Sequence, residues 1–563
     1  MSSHRRLSVL SGLVVGAVLV AAACSGIHQS LAPVPPQAQP STRSASNDIG
    51  SDEDAGPLTS VTANVVVTVP ASAPTTKSIS ISVNGGAAVI ANLTSGSPGC
   101  SGTPLVCTIS VTVPTGTDLF AFQTFSGTGG TGSVVASGKV FQKITTTSFT
   151  VDITLAGSPA AITLALKTTA PHECDPARNI ALYIMVMDSS RNTIIGSYGE
   201  SVSLTDSDTS GKTTLSATSL SSSATAITTH YNGFPLKSAT FSASATGVPS
   251  SAVTKAVLKP LQMIYVPGYD SSIGNYAVLV FPSNATGNVA PTRTISGGGM
   301  GFNGGSIIGV ALDGSCHLFV LEFYYGEGDN IADSEVDVFN AGANGSVSPI
   351  RYFYDTTTPL RANPNSIAVD SSGNPWIGQS SPTVILEYSA LASGDVTPIA
   401  DITGGNTDLS NPITTIGPTS KIYSVQAQCC TNNVLVFAAG SNGNVAPSQV
   451  INANSNAQFV GVDSSGKIYV GDQANNDVQV YAGNATGNAT PVATVSGSQT
   501  LLNSPTSMAF GYSNNFFIAN SAGGTVSIGI LQFLSGANGN APPHANITGS
   551  MTNIGAPIGG VVL

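Results

Sequence analysis

From about residue 258 to the C-terminus, apolar and polar residues alternate with period two in short runs such as "KIYVGD" and "DVQVYAG". Period two places alternate side chains on opposite faces of an extended chain, so these runs predict β-strands rather than helices. Asp-Ser-Ser-Gly, as in "IAVDSSGNPWIG", separates an innermost apolar run from the next and predicts a tight turn. A Gly-Asn pair before a proline predicts a hairpin tip, with the proline opening an outermost strand. Four strands per unit follow.

The unit repeats. An aromatic residue, Gly six positions on and Pro four further on recur as Phe281/Gly287/Pro291, Phe339/Gly345/Pro349, Tyr388/Gly394/Pro398, Phe437/Gly443/Pro447, Tyr481/Gly487/Pro491 and Phe533/Gly539/Pro543. By subtraction, successive prolines lie 58, 49, 49, 44 and 52 residues apart. That period suits a four-stranded propeller blade and is long for a leucine-rich or ankyrin unit. The first unit begins at Met263–Val266, which matches a second strand. The chain ends with "APIGGVVL", which matches an innermost one. The two partial ends complete one blade, so Gly559 to Leu563 is expected to pair beside Met263–Val266 and close a ring with no free inner edge. The stretch "GVDSSGKIYVGDQANNDVQVY" resembles an NHL repeat, and the last 300 or so residues are similar to six-bladed propellers of the NHL and lactonase-like kind. The resemblance implies a fold. It does not imply one activity, since such propellers include protein-binding, RNA-binding and catalytic members.

Residues 58–160 alternate again in seven runs, from "ANVVVTVP" to "SFTVDITL", and predict a β-sandwich. Residues 161–257 contain "VMDSSRNTIIG" and "VSLTDSD", which resemble bacterial immunoglobulin-like surface modules and imply a second sandwich. The whole is thus an all-β chain: two sandwiches forming a stalk, then a six-bladed propeller from 258 to 563.

The first 23 residues, "MSSHRRLSVLSGLVVGAVLVAAA", combine a basic end with an apolar run and small residues, the pattern of an export signal. Cys24 follows directly and is the expected site of lipidation in a bacterial lipoprotein, although Ala21 stands where Leu is usual; the alternative is ordinary secretion. Residues 24–57 are rich in Ser, Pro, Ala and Gln and read as a flexible tether. No later run has the roughly 18 apolar residues of a membrane helix. Membrane association is therefore expected through the anchor alone, at the cell surface or in the periplasm.

Charged residues make up only 8% of the chain, so the exterior must be carried by Ser, Thr, Asn and Gly. Net charge is −11 with no Lys/Arg cluster, which removes the phosphate-neutralising contribution that nucleic-acid binding needs.

Chemistry is sparse. No zinc-type spacing appears among His172, His230, His317 and His544. His317 falls at a turn on the face opposite the usual propeller mouth, and His544 in an outermost strand. Trp376 aligns with Tyr265, Phe319, Tyr423, Tyr469 and Phe517, so it reads as packing between blades rather than a ligand platform. Asp206 and Asp208 read as a solvated turn, with an interdomain cation as the alternative. Cys100 and Cys107 flank a short loop and are expected to form a local disulfide, the alternative being two free thiols. Cys429 and Cys430 either form a vicinal disulfide or pair separately with Cys174 and Cys316.

One segment departs from the repeat in length, charge and aromatic content together. It is "LEFYYGEGDNIADSEVDVF", with Glu322, Glu327, Asp329, Asp333, Glu335 and Asp337 beside Phe323, Tyr324 and Tyr325. It is the candidate binding loop, for a protein or carbohydrate partner. Its carboxylates are donors that calcium prefers, but the EF-hand spacing is missing and no other cofactor is implied. A surface-displayed binding protein is the expected function; the alternative is an extracellular metal-dependent, lactonase-like hydrolase or lyase.

Overall fold

Alternation is realised as strands throughout the computed structural model, which describes residues 60–557 apart from 72, 74, 145–147, 271, 297–305, 326–331, 341, 357–359, 361–362, 427–432, 454–456 and 522–527. The chain is all-β. Cys24, Glu327, Asp329, Cys429, Cys430 and the segment 559–563 lie outside the described residues.

In the N-terminal sandwich, strands Ser60–Val69, Leu105–Pro114 and Ser148–Gly157 share one sheet. Strands Ser78–Val83, Val89–Asn92, Gly116–Phe125 and Val134–Ile144 form the other. Val65 and Val67, Ile79 and Ile81, and Phe120 and Phe122, each pair two positions apart on its strand, meet between them with Val140 and Ile153. Cys100 and Cys107 face each other across the edge of this sandwich and are joined by a disulfide.

The two sandwiches are not separate beads. Strand Ser148–Gly157 pairs parallel with Ser60–Val69 on one side and with Thr193–Asp206 on the other. Backbone hydrogen bonding therefore crosses the boundary expected at 160/161, and a single sheet runs through both units. The second unit has its own core, including Ile162, Leu182, Ile194, Val202, Tyr231 and Phe241.

After Leu258 the described chain forms six further antiparallel sheets. The first contains Met263–Asp270, Asn275–Pro282 and Arg293–Ile295, and its innermost strand, Ile554–Pro557, comes from the far end of the chain. The described closing pairs are Gly268 with Pro557 and Asp270 with Ile554. In the second sheet, Ser306–Leu312, Leu318–Tyr325, Ala332–Phe339 and Arg351–Tyr354 follow in order. The remaining four repeat that order, each complete within one stretch of chain. This succession of four-stranded meanders, closed by both ends of the segment, is a β-propeller.

The repeated glycine fastens neighbouring sheets. Gly345 N–H donates to Thr294 O (2.6 Å), Gly487 N–H to Val450 O (2.8 Å) and Gly539 N–H to Thr494 O (2.7 Å), in each case reaching the outermost strand of the preceding sheet. Gly443 bridges Ile402 in the same way, and Gly394 pairs with Phe353. All six repeated glycines have φ between 60° and 75°, a region that L side chains enter only at a cost. The space around five of them is open, and so is that around Gly394. Backbone conformation, rather than crowding, selects glycine here.

Between sheets the equivalent aromatics are all buried. Trp376, for example, packs with Ile385, Ile402, Ile422, Leu435 and Phe437, which belong to its own sheet and the next. The second sandwich is joined covalently to the propeller by a disulfide between Cys174 and Cys316.

Candidate functional site

The acidic aromatic segment folds as a hairpin of the second propeller sheet. Glu322 lies opposite Glu335, and Asp337 opposite Val320. The outermost strand adds Tyr352 beside Asp337. Continuing that register by two residues sets Tyr354 beside Glu335. Alternation then puts Glu322, Tyr324, Glu335, Asp337, Tyr352 and Tyr354 on the one face that also carries Leu318, Val320 and Phe339, which pack toward the first sheet. The opposite face, with Phe319, Leu321, Val336, Val338 and Phe353, packs toward the third. Direct cross-strand neighbours have Cβ atoms about 5 Å apart, so the six side chains form one contiguous array.

Within this array depth changes sharply. Glu322 and Asp337 are each only 2% exposed, whereas Tyr352 is 49% exposed. The buried Glu322 and Asp337 carboxyls hydrogen-bond each other. Two carboxylates in such contact cannot both be charged at low cost, so the pair gives up its last proton at a higher pH than an isolated carboxylate would. Burial is the dominant effect on Asp337 and pushes its carboxyl up to about 6, although the bond from Glu322 works the other way. The Tyr352 and Tyr354 rings lie nearly parallel, with centroids 6.3 Å apart and planes 18° from each other. The arrangement offers two stacked aromatic rings on the sheet face that also carries the carboxyl groups.

Glu322, expected in the candidate binding loop, is instead buried on a strand with one face turned toward another sheet. Phe323, Tyr324 and Glu335 are half-buried. Tyr325 pairs with Ala332 and Asp333 with Tyr324 along the backbone. Tyr352 and Tyr354 were not anticipated. Their signal was "IRYFYD", three consecutive aromatics in an outer strand, of which the first and third share a face.

Three residues beyond the repeated aromatic of each second strand, the second to sixth sheets carry Glu322, Gln379, Gln426, Asp472 and Asn520, all buried. The amides tie down nearby loops: Gln426 Oε1 accepts from Ser410 N, and Asn520 Nδ2 donates to Leu501 O (2.7 Å). In the fifth sheet Asp472 is paired across the hairpin with Asp477. Burial and then the nearby Asp472 charge push the Asp477 carboxyl up to about 6. The innermost strands enclose a central cavity of about 630 Å³, lined by residues such as Val310, Ile367, Thr414, Val460 and Ser507.

No family model matches the chain, and no curated protein matches it in sequence. Solved structures similar to it include a protein of unknown function from Bacteroides caccae, at 10% identity over 54% of this chain and 98% of that one, with a TM-score of 0.39. The WD40 beta propeller domain of Doa1 is 14% identical over 40% of this chain and 64% of its own, TM-score 0.27. Virginiamycin B lyase from Staphylococcus aureus is 11% identical over 41% and 87%, TM-score 0.27.

The other sequence candidates have local partners. Asp208 accepts from Ser210 N and Oγ and from Thr213 N, and Asp206 accepts from Thr213 Oγ1 (2.6 Å). Burial alone would raise the Asp208 carboxyl, but these bonds outweigh it and hold it at about 2. His317 Nδ1 lies 2.8 Å from Asp313 Oδ2 within its own turn. His230 Nδ1 lies 3.0 Å from Asn179 Oδ1. Among the described residues, no group of three or more His, Cys, Asp or Glu is arranged to hold a metal ion.

Proposed function

We infer that this is an exported binding protein that presents a six-bladed propeller of NHL-like type on an immunoglobulin-like sandwich stalk, and that a carbohydrate is its ligand at the second sheet. The observation that carries the reading is the nearly parallel Tyr352/Tyr354 pair, Tyr352 exposed and Tyr354 half-buried, on the sheet face that carries Glu322, Glu335 and Asp337. Aromatic faces stack on the C–H faces of sugars, and carboxylates accept strong hydrogen bonds from hydroxyls. Export is supported by the basic-apolar N-terminus and by two disulfides, a bond type that persists in oxidising compartments. Lipid attachment at Cys24 would hold the tether and stalk to a membrane, each buried methylene contributing about 0.8 kcal/mol.

The test is a neutral-glycan array probed with the full-length protein in detergent. Tyr352→Ala should weaken the best ligand about three- to tenfold, and the Tyr352→Ala/Tyr354→Ala pair should lose it; retained binding in the pair refutes the site. Cys24→Ser should move the protein from the membrane to the soluble fraction. Equal solubility of both forms would refute the anchor.

A second reading, a lactonase-like hydrolase or lyase, draws on Asp337. A buried carboxyl raised to about 6 holds its proton well above the ordinary carboxylate range, which is the direction a general acid needs. Turnover of a bound ligand that disappears in Asp337→Asn would decide for it.

A further inference from the structure

We propose that a second ligand site lies in the groove between the second sandwich and the propeller, and that it takes an acidic oligosaccharide of the uronate class. The groove encloses about 600 Å³, within the range of ligand sites. Its walls carry Lys237 and Lys259 from the sandwich side and His544 from the last propeller sheet, together with the amides of Gln262, Asn284 and Gln532. Among the described residues, no carboxylate lines it. That is an unusual local balance in a chain with 29 acidic and 18 basic residues. Both lysines and His544 are exposed, and among the described residues none of the three side chains has a hydrogen bond or ion pair.

The groove is built rather than incidental. Lys259 N–H donates to Thr169 O (2.7 Å), and Leu236, next to Lys237, donates its N–H to Glu173 Oε1 (2.7 Å). Across the junction Tyr512 Oη donates to the same Glu173 Oε1 (2.8 Å), and Tyr512 N–H to Gln262 Oε1 (2.9 Å). Ser283 N–H donates to Gln262 O and His544 N–H to Gln532 O. With the Cys174–Cys316 disulfide these bonds fix both walls before any ligand arrives, which spares the ordering cost of closing a groove on it.

The chemistry selects the ligand. Separated cations in a field otherwise dominated by acids attract spaced negative groups, and amides between them suit sugar hydroxyls. A bare anion would engage the cations and not the amides; a neutral sugar would do the reverse.

The experiment is isothermal titration of the full-length protein in detergent with trigalacturonate, with neutral trigalactose and inorganic phosphate as controls. Trigalacturonate should bind with an affinity that falls as sodium chloride is raised. Lys237→Gln and Lys259→Gln should each lower that affinity five- to tenfold, and the double variant should lose it while melting at the wild-type temperature. Tyr352→Ala should leave it unchanged, which separates this site from the tyrosine face. Absence of trigalacturonate binding, equal binding of trigalactose or phosphate, or unchanged affinity in the single lysine variants overturns the proposal.

Discussion

Gly287 of the first propeller sheet and Ile547 of the last form a parallel bridge of the same kind that joins Gly345 to Ile295 and Gly443 to Ile402. Gly287 N–H donates to Asn546 O (2.7 Å) and Thr548 N–H returns a bond to Gly287 O (3.1 Å). The ring is thus fastened at its outer rim by the device used between its other sheets, and at its inner rim by strand Ile554–Pro557.

Gly287→Ala tests this fastening. Nothing lies near the added methyl group, but φ is +75°, so the variant carries backbone strain of about 1–2 kcal/mol without a clash. The propeller melting temperature should fall by several degrees. Gly314→Ala, where the space is equally open and φ is not positive, should melt like the wild type. Equal melting of the two variants would show that the clasp contributes nothing.

The propeller was legible because a repeat exposes its constraints: an aromatic at fixed register must pack between sheets, and Trp376 does. The Gly-Asn pair was read only as a hairpin tip. Its second role needs two sheets at once, since Asn288 Oδ1 accepts from Met551 N and Asn444 Oδ1 from Asn406 N, contacts invisible within one repeat unit. The acidic hairpin was legible as a departure from the repeat, but not the depth of Glu322, which depends on which strand face meets the neighbouring sheet. The sequence reading that paired Cys429 and Cys430 separately with Cys174 and Cys316 is excluded for the same reason: Cys174 and Cys316 pair with each other, 142 residues apart in the sequence and in different structural units.

The Glu322–Asp337 pair gives stability a pH dependence of definite sign. The folded-state Asp337 carboxyl lies at about 6, above its ordinary value of 3.8, so the folded form holds the proton more tightly. Its contribution is fully present below about pH 4 and is lost as pH rises through 6. The loss is on the order of 3 kcal/mol. Asp337→Asn should flatten the melting-temperature profile between pH 4 and 7; an unchanged slope would mean that the pair does not share a proton. Asp477→Asn should remove a similar part arising in the fifth sheet.

Arg293 is the buried cation at the junction. It is 9% exposed, and its Nη2 donates to Tyr265 Oη (3.0 Å) while Nη1 donates to Cys174 O (3.3 Å). Its guanidinium also lies 5.7 Å from the centre of the Tyr265 ring. Arg293→Ala removes both donors and leaves two buried acceptors without them, at about 1–3 kcal/mol each. Arg293→Lys should recover only part of this, because an ammonium does not reproduce the planar two-point geometry. Thermal melting and limited proteolysis between the second sandwich and the propeller would measure it, and equal stability of wild type and Arg293→Ala would refute the role.

Glu173 makes the same junction sensitive to pH. Its carboxyl is 4% exposed, and burial pushes it up to about 7 against the lowering effects of the Leu236 N–H, the Tyr512 hydroxyl and the Lys212 charge. Because the folded value lies above the ordinary 4.5, the contribution is complete below about pH 4.5 and is lost as pH rises through 7. Glu173→Gln keeps an oxygen at the position that accepts from Leu236 and Tyr512 while removing the charge. The variant should therefore match the wild type at pH 4.5 and be more stable at pH 8, melting higher, by an amount on the order of 3 kcal/mol. The sign distinguishes this from a structural need for the carboxylate itself, which would make the variant less stable at pH 8. Tyr512→Phe removes one of the hydroxyl bonds across the junction and should destabilise at both pH values, leaving the slope set by burial largely in place.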